Sequence, residues 1–262
     1  LKTVMNLSIL TFSKGSTDYG AIAYYADNVY NAPNGSIEGD YIFGKPNNVN
    51  TLVGYLGSET ELTLPADYKG ESYVIGENVF KDNKAITSII IPNSVTSIGE
   101  NAFYGCSGLT SVTIPNSVTS IGGSAFSNCT GLQVVNISDL AAWCGIDFGD
   151  KCANPFCNGI NLYLNGELVT ELVIPDGVKE IKNYTFYGCS GLTSVVIPNS
   201  VTSIGNNAFY NCTRLKTVIN LSNLTFTKGS NKNGYIAYYA TTVYNANELS
   251  LEDDFVWAKI NN

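Results

Sequence analysis

Leu109-Thr110-Ser111-Val112-Thr113-Ile114-Pro115-Asn116-Ser117-Val118-Thr119-Ser120-Ile121-Gly122 recurs at residues 192–205 with one change, Val196 in place of Thr113. The stretch is part of a 23-residue pattern. Ile86 to Gly108, Leu109 to Gly131, Val169 to Gly191 and Leu192 to Arg214 are copies of equal length without gaps. Self-similarity at this period marks stacked units, each too small to bury its own apolar face, so neighbours must share one continuous core. The expected fold is a solenoid.

Within a copy, positions 4 and 6 are aliphatic while 3 and 5 are mostly polar, as in a half-buried strand, and proline at position 7 ends the ladder. Strands at the same place in successive turns can only pair in parallel, about 4.8 Å apart. A second apolar pair, Val118 and Ile121, predicts another short strand, with Gly122 read as permitting a turn. Ala125 and Phe126 then plug the core. Phe80, Phe103, Phe126, Phe186 and Phe209 are expected to form a single stacked aromatic spine.

The run of Leu-Thr-Ser-Val-Thr-Ile-Pro-Asn-Ser-Val-Thr-Ser-Ile-Gly, continued by Ala125-Phe126 and Cys129, resembles the BspA-like leucine-rich repeats of bacterial surface proteins. The resemblance covers residues 59 to 219 in regular or diverged turns. It implies a β-rich leucine-rich-repeat solenoid, with parallel strands stacked along one flank and short helices or turns completing each coil. It also implies a secreted or surface-attached protein that binds other molecules, host matrix proteins among them. It carries over no catalytic residue and no cofactor.

A longer period overlies the short one. Residues 1 to 48 align without a gap onto 215 to 262, with 29 of 48 pairs identical. Leu215 opens the turn after Arg214, so Leu1 is expected to open a turn too, and the chain reads as a segment of a longer array. The absence of an initiating Met or leader pattern therefore says nothing about export. The whole, 1–262, reads as one continuous array. Residues 1–58 are a partial turn plus an insert module, 59–137 regular turns, 138–168 a second insert, 169–219 regular turns, and 220–262 a module duplicating 6–48. The 59–85 turn carries extra residues around Tyr68 to Ser72. In the first insert, Ser16-Thr17-Asp18 offers a cap for a helix through Ile22, Tyr25, Ala26 and Val29. Val29-Tyr30, Tyr41-Ile42-Phe43 and Leu52-Val53-Gly54-Tyr55 follow as strands. In the second, Ser138-Asp139 precedes a helix through Leu140, Trp143 and Cys144, and Asn165-Gly166 signals a type I′ hairpin.

Composition narrows function. A net charge of −8 weighs against nucleic acid and anionic membrane surfaces as partners, and no apolar run is long enough to cross a bilayer. The chain contains no histidine, which removes Ser-His-Asp, Cys-His and histidine-based metal chemistry together. Glu38/Asp40 and Glu252/Asp253/Asp254 come nearest to the paired carboxylates of a glycosidase, yet fall in turn-rich segments. Asp147, Asp150 and Asp176 are too scattered for a calcium loop. Cys106, Cys129, Cys189 and Cys212 all hold position 21 and read as small buried hydrophobes. Cys144, Cys152 and Cys157 share one insert, where a disulfide stays open and a zinc set would be incomplete. No catalytic, metal or cofactor site is expected.

What remains are surfaces. Outward strand positions place Ile90, Thr113, Val173 and Val196 on a low-charge face of the kind solenoids use for partners, though such residues also satisfy β-propensity. Tyrosine pairs Tyr24-Tyr25 and Tyr238-Tyr239 are further candidates, with one of each pair expected to pack on the core. The function expected is a non-catalytic interaction or adhesion module at the bacterial cell exterior, taking a protein or glycan partner. The alternatives are a carbohydrate-binding or carbohydrate-processing module, marked by an aromatic platform beside a carboxylate pair, and a structural spacer.

Overall fold

The computed structural model describes residues 3–6, 28–245, 249–252 and 255–258. Alternation sends every second side chain inward: in Ser111–Ile114, Val112 and Ile114 are buried while Ser111 and Thr113 stay half-buried at the surface. Along one flank, Glu61–Thr63, Ser88–Ile90, Ser111–Ile114, Val134–Ile137 and Asn161–Leu164 pair in parallel, and antiparallel Glu167–Leu168 closes that sheet. The same flank resumes with Glu171–Val173, Ser194–Ile197, Thr217–Asn220 and Thr242–Asn245. The expected second strand is present. Thr51–Tyr55, Tyr73–Ile75, Val95–Ile98, Ser120–Ile121 and Asp147–Phe148 form a second parallel ladder, and Glu180–Ile181 pairs with Ser203–Ile204. The result is a leucine-rich-repeat β-solenoid of about eight turns around one continuous core.

The threonines of the pattern tie turn to turn. The Thr110 hydroxyl donates to the Thr87 carbonyl at 2.8 Å, Thr193 to Thr170 at 3.0 Å, and Thr202 to Lys179 at 3.0 Å. A strand-edge carbonyl thus accepts a second bond from the next turn, which satisfies its other lone pair. Gly122 opens the turn to Ala125, whose amide donates to its carbonyl at 3.3 Å, but not by a special backbone conformation. Its φ is not left-handed, and a Cβ placed there would lie 2.5 Å from the Glu100 nitrogen and 2.8 Å from the Gly99 carbonyl carbon. Its requirement is close approach of backbones.

Left-handed backbone falls instead at the next corner, on Asn101, Ser124, Tyr184 and Asn207. At Ser124 that corner is held by Asp150, whose carboxylate accepts from the Ser124 amide at 3.0 Å and from the amides of Cys152 and Ala153 at 2.8 and 2.7 Å. Burial alone would raise the Asp150 pKa, but these bonds and that from the Ser124 hydroxyl outweigh it, and the carboxyl lies below its usual range. A depressed folded-state pKa contributes stability above the unfolded value and loses it as pH falls through the folded one. Asp150→Asn should therefore cost about 1 kcal/mol at pH 7. In urea titrations the gap from wild type should close below about pH 4; a gap independent of pH would refute the carboxylate's role.

The aromatic spine differs from expectation. Phe80, Phe103 and Phe126 stack at 5.2 and 5.1 Å, and Phe186 and Phe209 at 5.1 Å, but the two stacks are separate. The Phe126 amide bonds to the Cys152 carbonyl as that of Phe103 bonds to Ala125, so Ala153 occupies the next phenylalanine position. Trp143 and Phe156, 5.4 Å apart, fill this part of the core, and the Trp143 indole donates to the Thr185 carbonyl at 2.9 Å.

The 138–168 segment has its helix at Leu140–Cys144, capped by the Asp139 carboxylate on the Ala142 amide, and its hairpin, with Asn165 and Gly166 both at positive φ. Unforeseen was Asp147–Phe148, which pairs with Ser120–Ile121, so the segment completes a lengthened turn. At the N-terminal end Tyr41–Gly44 and Thr51–Tyr55 are joined by an unexpected strand, Ser36–Glu38, making an antiparallel meander that extends the second ladder, while Asn28–Asn31 pairs in parallel with Thr3–Asn6. The helix expected through Ile22 lies outside the described residues, and Val29 belongs to a strand. Its echo at the other end is a 3-10 turn, Asn233–Tyr235, with Asn233, Gly234 and Tyr235 all at positive φ. A longer helix would conflict with Val243, which pairs in parallel with Val218. The sequence duplication is a structural one: Val4↔Val29 matches Val218↔Val243, and Ile37↔Ile42 matches Leu251↔Val256.

Candidate functional site

Parallel pairing turns isolated outward residues into rows. Thr63, Ile90, Thr113, Asn136 and Tyr163 are successive partners in one sheet, and Val173, Val196, Ile219 and Tyr244 in the other. Ile90 and Val173 are 51 % and 61 % exposed, while Thr113 and Val196 are half-buried. Ile90 therefore sits between two threonines, whereas Val173 and Val196 begin a stripe that stays apolar across four strands. Leu168, 49 % exposed, precedes that stripe at the hairpin. The four strand residues singled out in the sequence thus fall on two separate sheets.

Tyr24 and Tyr25 lie outside the described residues. Tyr238 is exposed and Tyr239 half-buried, their rings 4.9 Å apart. The core contacts of that segment come from Ile236, Ala237 and Ala240, which are buried between and beside the tyrosines. The pair also continues a series that sequence reading missed. Tyr184, Tyr187, Tyr210 and Tyr235 lead into it through ring contacts of 6.1, 5.3, 5.0 and 5.4 Å. The available signal was the shared position 19 of Tyr187 and Tyr210 in consecutive copies.

A cleft of about 840 Å³ opens between the meander and the second ladder, lined by Val49, Val53, Val74 and Ser97 among others. Among the described residues Glu77 is its single charged lining residue, and they bring no carboxylate pair of the kind glycoside hydrolysis uses to the cleft. Glu38 lies on an edge strand and Asp40 in the exposed turn after it; Asp253 and Asp254 are outside the described residues. Asp147 pairs with Lys182 at 2.6 Å.

The thiols at position 21 form a ladder. Cys106, Cys129 and Cys212 donate to the carbonyls of Phe80, Phe103 and Phe186 at 3.0, 3.1 and 3.2 Å. Burial pushes Cys106 and Cys129 up to about 12 and raises Cys189 and Cys212 as well, which suppresses the reactive thiolate. Cys144 is sealed beneath its helix and Cys157 adjoins Cys152; burial, then that neighbour, raises Cys157 to about 12. All seven cysteines are free.

Among solved structures, the chain is similar to a leucine-rich repeat protein of T. pallidum (24 % identity, 70 % of each chain, TM-score 0.41). It is also similar to a leucine rich cell surface protein of Faecalibacterium prausnitzii (28 % identity, 73 % of this chain and 56 % of that one, TM-score 0.45). A leucine-rich repeat protein of Bacteroides capillosus shares 30 % identity over 50 % of this chain and 99 % of its own, with a TM-score of 0.40. No curated protein sequence matches. The family profile of the BspA type leucine rich repeat region matches six copies, over residues 71–145 and 160–245, more than half of the chain. With the repeat, the parallel ladders and this match in agreement, the chain belongs to the BspA type leucine-rich repeat family.

Proposed function

We propose that this chain is a non-catalytic protein-interaction module of a bacterial cell-surface protein, and that the apolar row Val173, Val196, Ile219 and Tyr244 is its contact face. The row is the observation that carries the reading. Four in-register strands supply an uninterrupted apolar line beside the mostly uncharged line Glu171, Ser194, Thr217 and Thr242. Apolar residues flanked by neutral hydroxyls match the composition of interface cores, which are depleted in charge. Similarity to a leucine rich cell surface protein supports placement at the cell exterior, and adhesion through host matrix proteins is the most specific form of this reading.

Surface-captured protein should bind at least one extracellular matrix protein in a plate or interferometry screen. A double substitution, Val173→Ser with Ile219→Ser, should weaken that binding by about tenfold or more. Undiminished binding by the double variant would move the contact elsewhere, and no binding by the full-length protein would favour the spacer.

A further inference from the structure

Where the two phenylalanine stacks part, side chains take over from backbone. In regular turns the phenylalanine amide bonds to the next turn, as from Phe103 to the Ala125 carbonyl at 2.9 Å and from Phe186 to Ala208 at 2.8 Å. Across the junction the buried Asn154 amide group donates to the Tyr184 and Thr185 carbonyls at 2.5 and 2.8 Å. Asn154 also caps the 3-10 turn Pro155–Asn158, accepting from the Phe156 amide at 2.8 Å, and the Cys157 amide donates to its carbonyl at 3.2 Å. This turn folds the chain back on itself, so that the Cys152 and Cys157 thiols are hydrogen-bonded to each other. Cys152 is anchored from the other side, its carbonyl accepting from the Phe126 amide at 3.0 Å and its own amide donating to Asp150 at 2.8 Å. Both side chains are half-buried, whereas the other five thiols are buried, and Cys106, Cys129 and Cys212 among those are engaged with carbonyls.

We infer that Cys152 and Cys157 are an oxidisable pair whose disulfide clasps the Asn154 turn and locks the junction between the two halves of the solenoid. The oxidant is a low-molecular-weight disulfide. The thiolate of one cysteine attacks a sulfur of that disulfide, forming a mixed disulfide and releasing one small thiol. The thiolate of the other then attacks the protein sulfur of the mixed disulfide, closing the Sγ–Sγ bond and expelling the second small thiol. Two protein thiols have lost two protons and two electrons, and the oxidant has become two thiols. Closure needs side chains that converge, which two thiols in contact across one tight turn supply and a parallel ladder of cysteines does not. The closed loop restricts the opened form of the turn more than the folded one, so Asn154 is held against Tyr184 and Thr185. The pair is independent of the strand-face reading, because the two use different residues.

Treatment of the native full chain with oxidised glutathione tests this, followed by acid quench, unfolding, alkylation and tryptic digestion. Cleavage after Lys151 and Lys179 leaves both cysteines, and no others, on the peptide 152–179. That peptide should escape alkylation and be lighter by two hydrogens, while the other five cysteines are alkylated. Hydrogen exchange at the Phe126, Phe156 and Cys157 amides should slow about tenfold on oxidation. Cys152→Ser and Cys157→Ser should each unfold thermally like wild type in reductant, and neither should show the slowing. Alkylation of both cysteines of 152–179 after treatment, a cross-link to the peptide carrying Cys129, or glutathione adducts that never resolve would overturn the inference. So would a closed disulfide that leaves exchange at the junction unchanged.

Discussion

Phe103→Ala should destabilise the protein by about 3–5 kcal/mol, measured as a fall in the urea midpoint with a matched loss of amide protection in adjacent turns. Phe103 is fully buried and stacks at 5.2 Å on Phe80 and 5.1 Å on Phe126. Its removal empties one level of a column whose neighbours are fixed by parallel ladders on two flanks. The cavity therefore has little means of collapse, and the loss combines the ring's transfer free energy with its two stacking contacts. Because solenoid stability is a sum of local and nearest-neighbour terms, protection should fall most between residues 73 and 126 and least beyond Thr217. Ile90→Ala, at a position 51 % exposed, serves as the control and should stay within about 1 kcal/mol of wild type. An effect of Phe103→Ala no larger than that control would contradict a packed column.

Gly122→Ala should cost about 3 kcal/mol although it adds a single methyl group. All three nearest atoms to the new Cβ, at 2.5 to 2.8 Å, are backbone of Glu100 and Gly99, so no side chain can rotate away. Relief requires the two turns to separate, which strains the parallel pairing of Ser120–Ile121 with Val95–Ile98 and the bond from the Gly122 amide to the Ile98 carbonyl at 2.8 Å. The adjacent glycine separates this cause from loss of backbone freedom. At Gly123 the nearest atom is an Asp150 carboxylate oxygen at 3.3 Å, and a shift of a few tenths of an ångström relieves the contact. Gly123→Ala should cost less than about 1 kcal/mol, and equal costs at both positions, read from urea midpoints, would refute the backbone contact.

The strands, their parallel order and the buried set were legible because the 23-residue period superimposes like positions, and each is either always inside or always outside. Val112, Ile114, Val118, Ile121, Phe126 and Cys129 are all at or below 1 % exposure. The Asn165-Gly166 hairpin and the Asp139-capped helix were legible for a local reason: turn and cap chemistry acts within a few residues. The strand Asp147–Phe148 was not, since two residues carry no periodicity and pair only because the preceding turn presents an open edge. The turn at Gly122 was legible but its reason was not, because a glycine required by a neighbouring backbone looks in sequence like one required by φ.

The candidate surfaces divide the same way. Ile90 and Val173 could be placed outward by alternation alone, but their separation onto two sheets depends on the hairpin after Asn161–Leu164. Tyr238 and Tyr239 were visible as a pair, whereas their contact with Tyr210 through Tyr235 joins residues of different turns.

By itself the sequence determined that this protein is a stacked array of parallel turns with an aliphatic, phenylalanine and cysteine core. The repeat imposes the same alternation of burial on every copy, and only one architecture satisfies all copies at once. Tertiary structure alone decided where the repeat's regularity stops and what its interruptions build. Ala153 splits the phenylalanine column, Asp147–Phe148 draws an apparent insert into the solenoid, and tyrosines from three turns form one series of ring contacts. Each of these depends on which backbone lies beside which across a turn of about 4.8 Å, a relation that no single turn encodes.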